Sequence, residues 1–217
     1  KPNIPVVIGE TQKETKPVFV AKARASRSKI YFADKELKEQ KVETDLKGSY
    51  QKKNISTSLM AIEILKQRGI SISNKAIGKG LKHVIKNTAF IGRWMILKKE
   101  PFIVFDSAHN EGGLRELKLQ IANCKFQTLH FVYGTVNDKD ISKTRAWLPK
   151  QAKEDFCKAD IPRGLNAEEL QKQAVKFGLK GESFSSAKKA FEAAKTNAAK
   201  KDIVLVAGSV FIIAELI

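Results

Sequence analysis

Short apolar runs that end in glycine or polar residues dominate the second half of the chain. The strongest is Phe-Ile-Val-Phe at 102–105, which runs directly into Asp-Ser-Ala-His-Asn at 106–110 and then a pair of glycines. Two further runs, 128–133 and 202–207, also end in glycine and polar residues. This pattern is typical of buried strands that deliver polar side chains to the carboxyl edge of an α/β sheet, where such folds bind ligands.

Helical periodicity alternates with these strands. Leu114, Leu117 and Ile121 share one face of a helix predicted over 112–122. Further predicted helices cover 140–148, 166–177, 185–200 and 209–217, and further strands cover 94–97, 155–159 and 181–184. The strands at 94–97 and 102–105 are predicted to pair as a hairpin. Strand–helix alternation over about 120 residues predicts a mostly parallel, three-layer α/β domain.

The first part of the chain has a different pattern. Short strands are predicted at 5–9 and 29–33, a helix over 14–26, and a loop with part of a strand over 34–45. Two amphipathic helices follow. One places Ile55, Leu59, Ile62 and Leu65 inward and ends at Gly69, and the second covers 71–86. Residues 87–92 resemble a linker, so we expect one domain over 1–92 and another over 93–217.

Charge and composition narrow the function classes. The formal net charge of +17 suits nucleic acid, an anionic membrane face or small polyanionic ligands, although a solvated lysine-rich surface explains it as well. Cys124 and Cys157 form no CxxC motif, which argues against zinc and favours a reducing cytoplasm. No apolar run reaches the length of a membrane-spanning helix, so we expect no membrane segment. The first residues lack a signal-peptide pattern. Because a strand is predicted almost at once, with no element before it, we expect that the sequence is part of a longer chain.

Polar residues at the predicted strand ends are the candidates for chemistry. Asp106 suits hydrogen bonds to a ribose diol and His109 suits an anion or a substrate, but Asp106 as a helix cap and His109 as a surface residue fit equally. Arg93 suits a phosphate, since its fork binds oxyanions, or simply solvent. Lys139 suits a carboxylate or an exposed helix start. Ser209 suits an anion or an ordinary turn.

Asn54, near the start of a predicted helix, suits a base edge or solvent. No P-loop and no GxSxG motif occurs, and no histidine has metal-chelate spacing to another His or Cys. From the residues alone we predict an α/β domain with an anion-binding edge, joined to part of another domain.

Several motifs, in their order along the chain, resemble one family. They are residues 46–54, Gly-Arg-Trp at 92–94, Phe-Asp-Ser-Ala-His-Asn-Glu-Gly-Gly-Leu at 105–114, Tyr-Gly through Asp-Lys-Asp-Ile at 133–141, and Val-Ala-Gly-Ser at 206–209. Together they look like the bifunctional folylpolyglutamate synthase/dihydrofolate synthase group of the Mur ligase superfamily. The resemblance covers essentially the whole chain.

The resemblance implies an ATP-dependent ligase with a P-loop ATPase domain and a smaller C-terminal Rossmann-like domain. ATP phosphorylates a carboxylate of dihydropteroate or of a folate polyglutamate, and L-glutamate then forms the amide. By this resemblance residues 1–92 are the end of the ATPase domain and 93–217 the C-terminal domain. The P-loop and the Mg²⁺ ligands belong to the missing first half, so we expect the fragment to be inactive alone. A cytoplasmic monomer is implied.

The resemblance also implies roles for individual residues. Asn54 lies on the adenine side of ATP, Arg93 at its phosphates and Asp106 at the ribose. The catalytic pair, His109 and Lys139, lies with Ser209 near the glutamate and the acyl phosphate. The family usually has His where Tyr50 stands.

Two alternatives remain open. One is another Mur-type ligase, acting on peptidoglycan precursors, although the Asp-Ser-Ala-His-Asn run favours the folate branch. The other is a non-catalytic basic module that binds nucleotides or nucleic acid. It predicts a basic stripe interleaved with aromatic residues, and the aromatic residues here make up 8% of the chain and lie mostly in strands. We therefore expect no nucleic-acid partner.

Overall fold

The computed structural model describes residues 1–37, 42–137, 142, 145–149 and 151–217. The chain divides into two compact units, residues 1–90 and 91–217. Each unit is described by itself.

The first unit combines a two-stranded parallel sheet with helices. Strands β1 and β2 pair in register from Val6 with Ile30 to Ile8 with Phe32. The elements are β1 (Val6–Ile8), α1 (Lys16–Ala25), β2 (Ile30–Phe32), α2 (Ala33–Glu36), α3 (Gln51–Gln67), α4 (Asn74–Lys82) and α5 (Val84–Thr88). The predicted strands and the first predicted helix are confirmed. The predicted end of α3 is also confirmed, since Gly69 follows it with a left-handed φ of +88°.

The inward face predicted for α3 is wrong in part. The buried apolar residues are Ile55, Met60 and Ile64, whereas Leu65 is 40% exposed. Met60 and Ile64 form a small core with Ala33 at the start of α2. Packing against α2 and β1 therefore decides which face of α3 is buried. Fewer of the apolar residues on the predicted face are buried than the sequence pattern indicates. The short α2 also replaces the first turn of the predicted loop.

The single helix predicted over 71–86 is two helices. The break is at His83, whose φ of −127° and ψ of 41° lie outside the helical region. Just beyond it, the Ile85 N–H donates to the Asp45 carboxylate at 3.0 Å. The Ile85 N–H is thus bound by Asp45, which is distant in sequence, and a new helix, α5, begins at Val84.

The second unit is built on a six-stranded sheet of order β3-β4-β8-β5-β6-β7. Every neighbouring pair is parallel except β3 and β4, which form the predicted hairpin. The strands are β3 (Met95–Lys99), β4 (Phe102–Asp106), β5 (Leu129–Gly134), β6 (Lys153–Cys157), β7 (Gly181–Phe184) and β8 (Ile203–Gly208). The helices are α6 (Glu111–Ala122), α7 (Ala167–Val175), α8 (Ala187–Asn197) and α9 (Val210–Ala214), with a 3₁₀ turn at Arg145–Trp147.

Helices cover both faces of this sheet. Strand side chains alternate between faces, so Phe131 and Leu205 join a core with Leu114 of α6 and Leu170 of α7. Residues of opposite parity, including Val132, join a second core with α8 and α9. All six residues of β8 are buried, as expected for a central parallel strand. The predicted mostly parallel, three-layer α/β fold is confirmed.

Two predicted helices differ from the structure. The last one covers only Val210–Ala214, because Ser209 is its N-cap and the chain turns after Ala214. Four of the nine residues of the helix predicted over 140–148 lie outside the described residues, and its described end is the 3₁₀ turn. No helix among the described residues is long and apolar enough to cross a membrane.

Two buried polar groups at the amino edge of the sheet, His130 and Asp202, are paired with each other. Asp202 accepts hydrogen bonds from the Thr128 and Ala199 N–H groups at 3.0 and 2.8 Å. His130 Nε2 lies 3.3 Å from the same carboxylate. Burial alone would raise the pKa of Asp202, but these hydrogen bonds together lower it below its ordinary value. The pair therefore ties β5 to the start of β8 and is a structural contact.

Glu154 on β6 is a buried carboxyl of another kind. Its side chain is 2% exposed, and neither carboxylate oxygen has a hydrogen-bond partner among the described residues. Burial raises the pKa of Glu154 to about 7, and the neighbouring Asp155 charge adds to this. Folding therefore favours the protonated form of this group.

We predict that Glu154 makes the second unit less stable as the pH rises. Between the ordinary pKa of 4.5 and the folded value of about 7, the folded state binds more protons than the unfolded state, so the free energy of unfolding falls. The loss is about 3 kcal/mol and is complete above pH 8. Glu154→Gln removes this contribution. Urea titrations followed by the fluorescence of Trp94 and Trp147, both in the second unit, measure it.

The matched control is Glu168→Gln, an exposed carboxyl of the same unit. The control is expected to keep the wild-type decline with pH. If Glu154→Gln and Glu168→Gln show the same pH profile as the wild type, Glu154 is not the titrating group.

Candidate functional site

Three neighbouring strands end at one level of the second unit. Asp106 of β4 and Tyr133 of β5 are both in register with Ala207 of β8, and Gly134 is in register with Gly208. The residues that follow β4, β5 and β8 therefore meet at one edge of the sheet. This is the carboxyl edge at which α/β folds bind ligands.

Glycines allow β5 and β8 to end in close contact. Gly208 has a φ of +121°, and a Cβ atom there would overlap the carbonyl oxygen of Gly134. A Cβ atom at Gly134 would lie 2.6 Å from the Cys157 carbonyl oxygen. The Ser209 N–H donates to the Gly134 carbonyl at 2.9 Å. Ser209 is thereby fixed beside the end of β5, in a position that a side chain at either glycine would disrupt.

Asp106 holds together the start of the second unit and the loop after β4. Its Oδ2 accepts from the Trp94 N–H at 2.8 Å and its Oδ1 from the Ala108 N–H at 3.0 Å. Burial raises the pKa of the Asp106 carboxyl, while these N–H groups and the Arg93 charge partly oppose the rise. The alternative that Asp106 caps the following helix is wrong, because Asn110 accepts from the Gly113 N–H at 2.8 Å and caps α6.

Gly92 forms the other half of this connection. Its carbonyl accepts from the N–H and the hydroxyl of Ser107, at 2.8 and 2.9 Å, and from Arg93 Nη1 at 3.2 Å. Trp94 takes a left-handed φ of 45°, which is costly for a bulky residue. The Asp106 hydrogen bond holds this strained residue in place. The Arg93 and Asp106 side chains are consequently held near each other at this edge.

His109 has a defined hydrogen-bonding pattern. Its Nδ1 lies 2.8 Å from the Ser107 carbonyl oxygen. A carbonyl oxygen only accepts, so Nδ1 carries the proton in this contact. In the neutral ring, Nε2 is then an acceptor. The half-buried imidazole can take a proton or a hydrogen bond from a ligand.

A small cavity of about 180 Å³ lies at this edge. Ser209 is 6% exposed, and its hydroxyl accepts from the Phe211 N–H at 3.4 Å at the start of α9. The cavity is lined by His109, Thr135, Val136, Arg163, Ser209, Val210 and Phe211. Two of the predicted residues, His109 and Ser209, are thus brought to one cavity although they are far apart in the sequence.

Two lining residues were not predicted from the sequence. Thr135 is 1% exposed and directly follows β5. Arg163 lies in the loop between β6 and α7. Their signal was positional, since each follows the carboxyl end of a predicted parallel strand, and Arg163 stands next to a glycine.

The other predicted residues that the structure describes do not line this cavity. Asn54 belongs to the first unit, where it is exposed on α3 and donates to Gln51 Oε1 at 2.9 Å. Lys139 lies outside the described residues. In the part of the chain that the structure describes, no group of three or more His, Cys, Asp or Glu side chains is placed to hold a metal ion.

Comparisons with known proteins identify a family. Residues 92–210 match the family described as "Mur ligase, glutamate ligase domain". A probable bifunctional folylpolyglutamate synthase/dihydropteroate synthase of Haloferax volcanii is 32% identical over 175 residues, which are 80% of this chain and 20% of that protein. The dihydrofolate synthase/folylpolyglutamate synthase of Escherichia coli is 33% identical over 165 residues, which are 75% of this chain and 36% of that protein.

Solved structures agree with this match. E. coli FolC in complex with DHPP and ADP is 26% identical with a TM-score of 0.79, and the match covers 100% of this chain and 53% of that one. Mycobacterium tuberculosis folylpolyglutamate synthase, complexed with ADP and AMPPCP, has a TM-score of 0.82 over 97% of this chain and 54% of that one. At 20% identity, the second likeness shows the fold alone. The chain thus spans about half the length of these structures, and less of the two curated relatives.

We predict that Asp106→Asn destabilises the second unit by about 1–3 kcal/mol, because an amide cannot accept from both N–H groups and one donor is left facing another. The measurement is urea unfolding followed by tryptophan fluorescence. Asp160→Asn, an exposed residue of the same unit, is the control. Equal losses in the two variants would contradict the role given to Asp106.

Proposed function

The chain belongs to the Mur ligase family, and from this membership we propose that it is the C-terminal part of an ATP-dependent ligase. The ligase adds L-glutamate to dihydropteroate or to the glutamate tail of a folate. One structural observation carries this proposal: the cavity at the carboxyl edge, where His109 and Ser209 meet. The names of the Haloferax and E. coli relatives support the folate substrate.

The proposed reaction has two steps. A carboxylate oxygen of the folate substrate attacks the γ-phosphorus of ATP, so that ADP leaves and an acyl phosphate forms. The amine of L-glutamate then attacks the acyl carbon, the amide bond forms, and inorganic phosphate leaves with one oxygen of the original carboxylate. The main task of the protein is to position the reactants and to stabilise the charge that builds up on them.

Arg93 and Asp106 act on the nucleotide side in this proposal. Arg93 is held beside Asp106 and offers a guanidinium fork to a phosphate. Each Asp106 oxygen accepts one backbone N–H, and each has a further lone pair that can accept from a ribose hydroxyl. Asn54 contributes to the adenine side from the first unit.

His109 and Ser209 act on the glutamate side. The nucleophilic amine must lose a proton before or during its attack, and the Nε2 acceptor of His109 is suited to take it. Ser209 supplies a fixed hydroxyl at the same cavity. Lys139 completes this group in the proposal as a cation near the glutamate and the acyl phosphate.

The domain assignment follows from the same proposal. Residues 1–92 are the end of the central ATPase domain and residues 93–217 the C-terminal Rossmann-like domain. Solved relatives contain ADP, or AMPPNP with a manganese ion, which supports a nucleotide and a divalent metal for the complete enzyme. When bound, Mg²⁺ would neutralise phosphate charge. We assign it no ligand among the described residues and expect its ligands, with the P-loop, in a preceding part of a cytoplasmic, monomeric enzyme.

We predict glutamate-dependent ADP release when the chain is fused behind the first half of the E. coli relative. The assay measures ADP with dihydropteroate and ATP, with and without L-glutamate. His109→Ala in the fusion is expected to lower the rate at least about 100-fold, because the acceptor for the amine proton is lost. The matched control is His83→Ala, a histidine of the first unit whose Nδ1 contacts the Lys79 carbonyl and which has no role in the proposal.

Glutamate-independent ADP release, or equal losses in the two histidine variants, would count against the proposal. The chain without the first half is expected to release no ADP under the same conditions.

A further inference from the structure

A second cavity of the second unit, of about 410 Å³, lies beside the amino-terminal half of β5. It is lined by Leu129 and Phe131 of β5, by α6, and by residues of the segment from Trp147 to Ala152. It shares no lining residue, among those that the structure describes, with the smaller cavity at the carboxyl edge. Phe131 lies about 13 Å along the chain from Thr135 of that smaller cavity, so the two cavities lie toward opposite ends of β5.

The segment that closes this cavity is fixed to the rest of the unit. Leu148 is 1% exposed and belongs to the core shared with α6 and β5. The Ala146 carbonyl accepts from Lys118 Nζ of α6 at 3.2 Å, and the Ala152 N–H donates to the Pro149 carbonyl at 3.3 Å. The cavity is therefore formed without a ligand, which lowers the cost of binding one.

The lining favours a flat, apolar ligand. All but three of the lining residues are apolar, and Phe126, Phe131 and Trp147 are aromatic. Phe126 is 36% exposed and Trp147 is half-buried, so both rings keep uncovered surface. Aromatic side chains bind another ring by offset stacking or edge-to-face contact. The volume falls within the ~300–1,000 Å³ of pockets that hold small organic molecules.

One positive charge stands at this apolar lining. Lys118 is the single charged residue among the described lining residues, and the other polar ones, Gln127 and Gln151, are neutral. The Lys118 Nζ lies 5.8 Å from the centre of the Trp147 ring and donates one hydrogen bond, to Ala146. No carboxylate among the described residues forms an ion pair with it. An ammonium has three donors, so Lys118 can also donate to an anionic group of a ligand.

We propose that the second unit binds an aromatic monocarboxylate in this cavity. The ring packs against Phe126, Phe131 and Trp147, and the carboxylate accepts from Lys118. Nucleotides and folate polyglutamates carry several charges, which a single lysine at an apolar lining does not match. The ligand of this cavity therefore belongs to a different chemical class from the substrates of the proposed ligase, and the site does not depend on that proposed function.

The test is equilibrium dialysis of 2-naphthoate against the 217-residue chain, with 2-naphthoate up to about 2 mM. Saturable binding of one molecule per chain is expected, with a dissociation constant of about 0.1 mM for a ligand of this size. Ala152→Leu, which fills part of the cavity, is expected to weaken binding at least about 10-fold and to keep or raise the melting temperature. Ala214→Leu, at an exposed alanine of α9, is the matched control and is expected to bind as the wild type does.

A comparison with an uncharged ligand isolates the role of Lys118. The wild-type chain is expected to bind 2-naphthoate about 3- to 10-fold more tightly than 2-naphthylmethanol, which has the same ring and no charge. Lys118→Met is expected to abolish this preference and to leave the affinity for 2-naphthylmethanol unchanged. Lys172→Met, at an exposed lysine of α7, removes the same charge and is expected to keep the preference.

Four outcomes would overturn the proposal. The first is that 2-naphthoate shows no saturable binding up to about 2 mM, and the second is that Ala152→Leu binds it as tightly as the wild type does. The third is that the wild-type chain binds 2-naphthoate and 2-naphthylmethanol equally, which contradicts the carboxylate contact with Lys118. The fourth is a wild-type dimer in sedimentation equilibrium that Ala152→Leu dissociates, since another copy of the chain would then cover the cavity.

Discussion

The contact between the ends of β5 and β8 is the constraint on which the candidate site depends. Gly134 and Gly208 lie opposite each other, and the Gly134 carbonyl occupies the space that a side chain at Gly208 would need. Because both positions lack a Cβ, the two strands remain paired to their last residue and Ser209 can donate its N–H to Gly134. Thr135 and Ser209 then leave the sheet side by side. The positions of the two strand ends therefore determine where the side chains of Thr135 and Ser209 line the cavity.

Buried polar groups of the same sheet differ in how they are satisfied. Near the amino edge, His130 and Asp202 are paired with each other and with backbone N–H groups. Both carboxylate oxygens of Glu154, the second residue of β6, have no partner among the described residues. The buried Thr135 hydroxyl, at the carboxyl edge, is likewise unpaired among them. Buried polar groups are normally hydrogen-bonded, and of these two exceptions Thr135 lines the cavity that contains His109 and Ser209.

Much of the fold was predictable because its signals are local. The apolar runs of β4, β5 and β8 and the face formed by Leu114, Leu117 and Ile121 follow directly from periodicity. The failures came where partners distant in sequence decide. Asp45 engages the Ile85 N–H and the predicted helix divides, and α2 with β1 selects which face of α3 is buried. No pattern in the sequence of these helices contains that information.

The candidate site was predictable in part for a similar reason. Asp106, His109 and Ser209 stand directly after strong strand patterns, so their meeting at one edge follows from a parallel sheet. The Asp106 carboxylate accepts hydrogen bonds from the Trp94 and Ala108 N–H groups, and its position in the sequence alone could not indicate these partners. Arg163 follows a weaker strand, and its place at the cavity depends on the pairing of Val136 with Gly164. Long-range backbone pairing of this kind is invisible to local patterns.

The most direct test of the account is to follow an oxygen atom. The fusion of this chain with the first half of the E. coli relative would be supplied with ATP, L-glutamate and dihydropteroate labelled with ¹⁸O in its carboxylate, and the inorganic phosphate would be analysed by mass spectrometry. The account predicts one labelled oxygen in phosphate for each amide formed, because phosphate leaves the acyl phosphate with an oxygen of the substrate. Amide formation with unlabelled phosphate would contradict it.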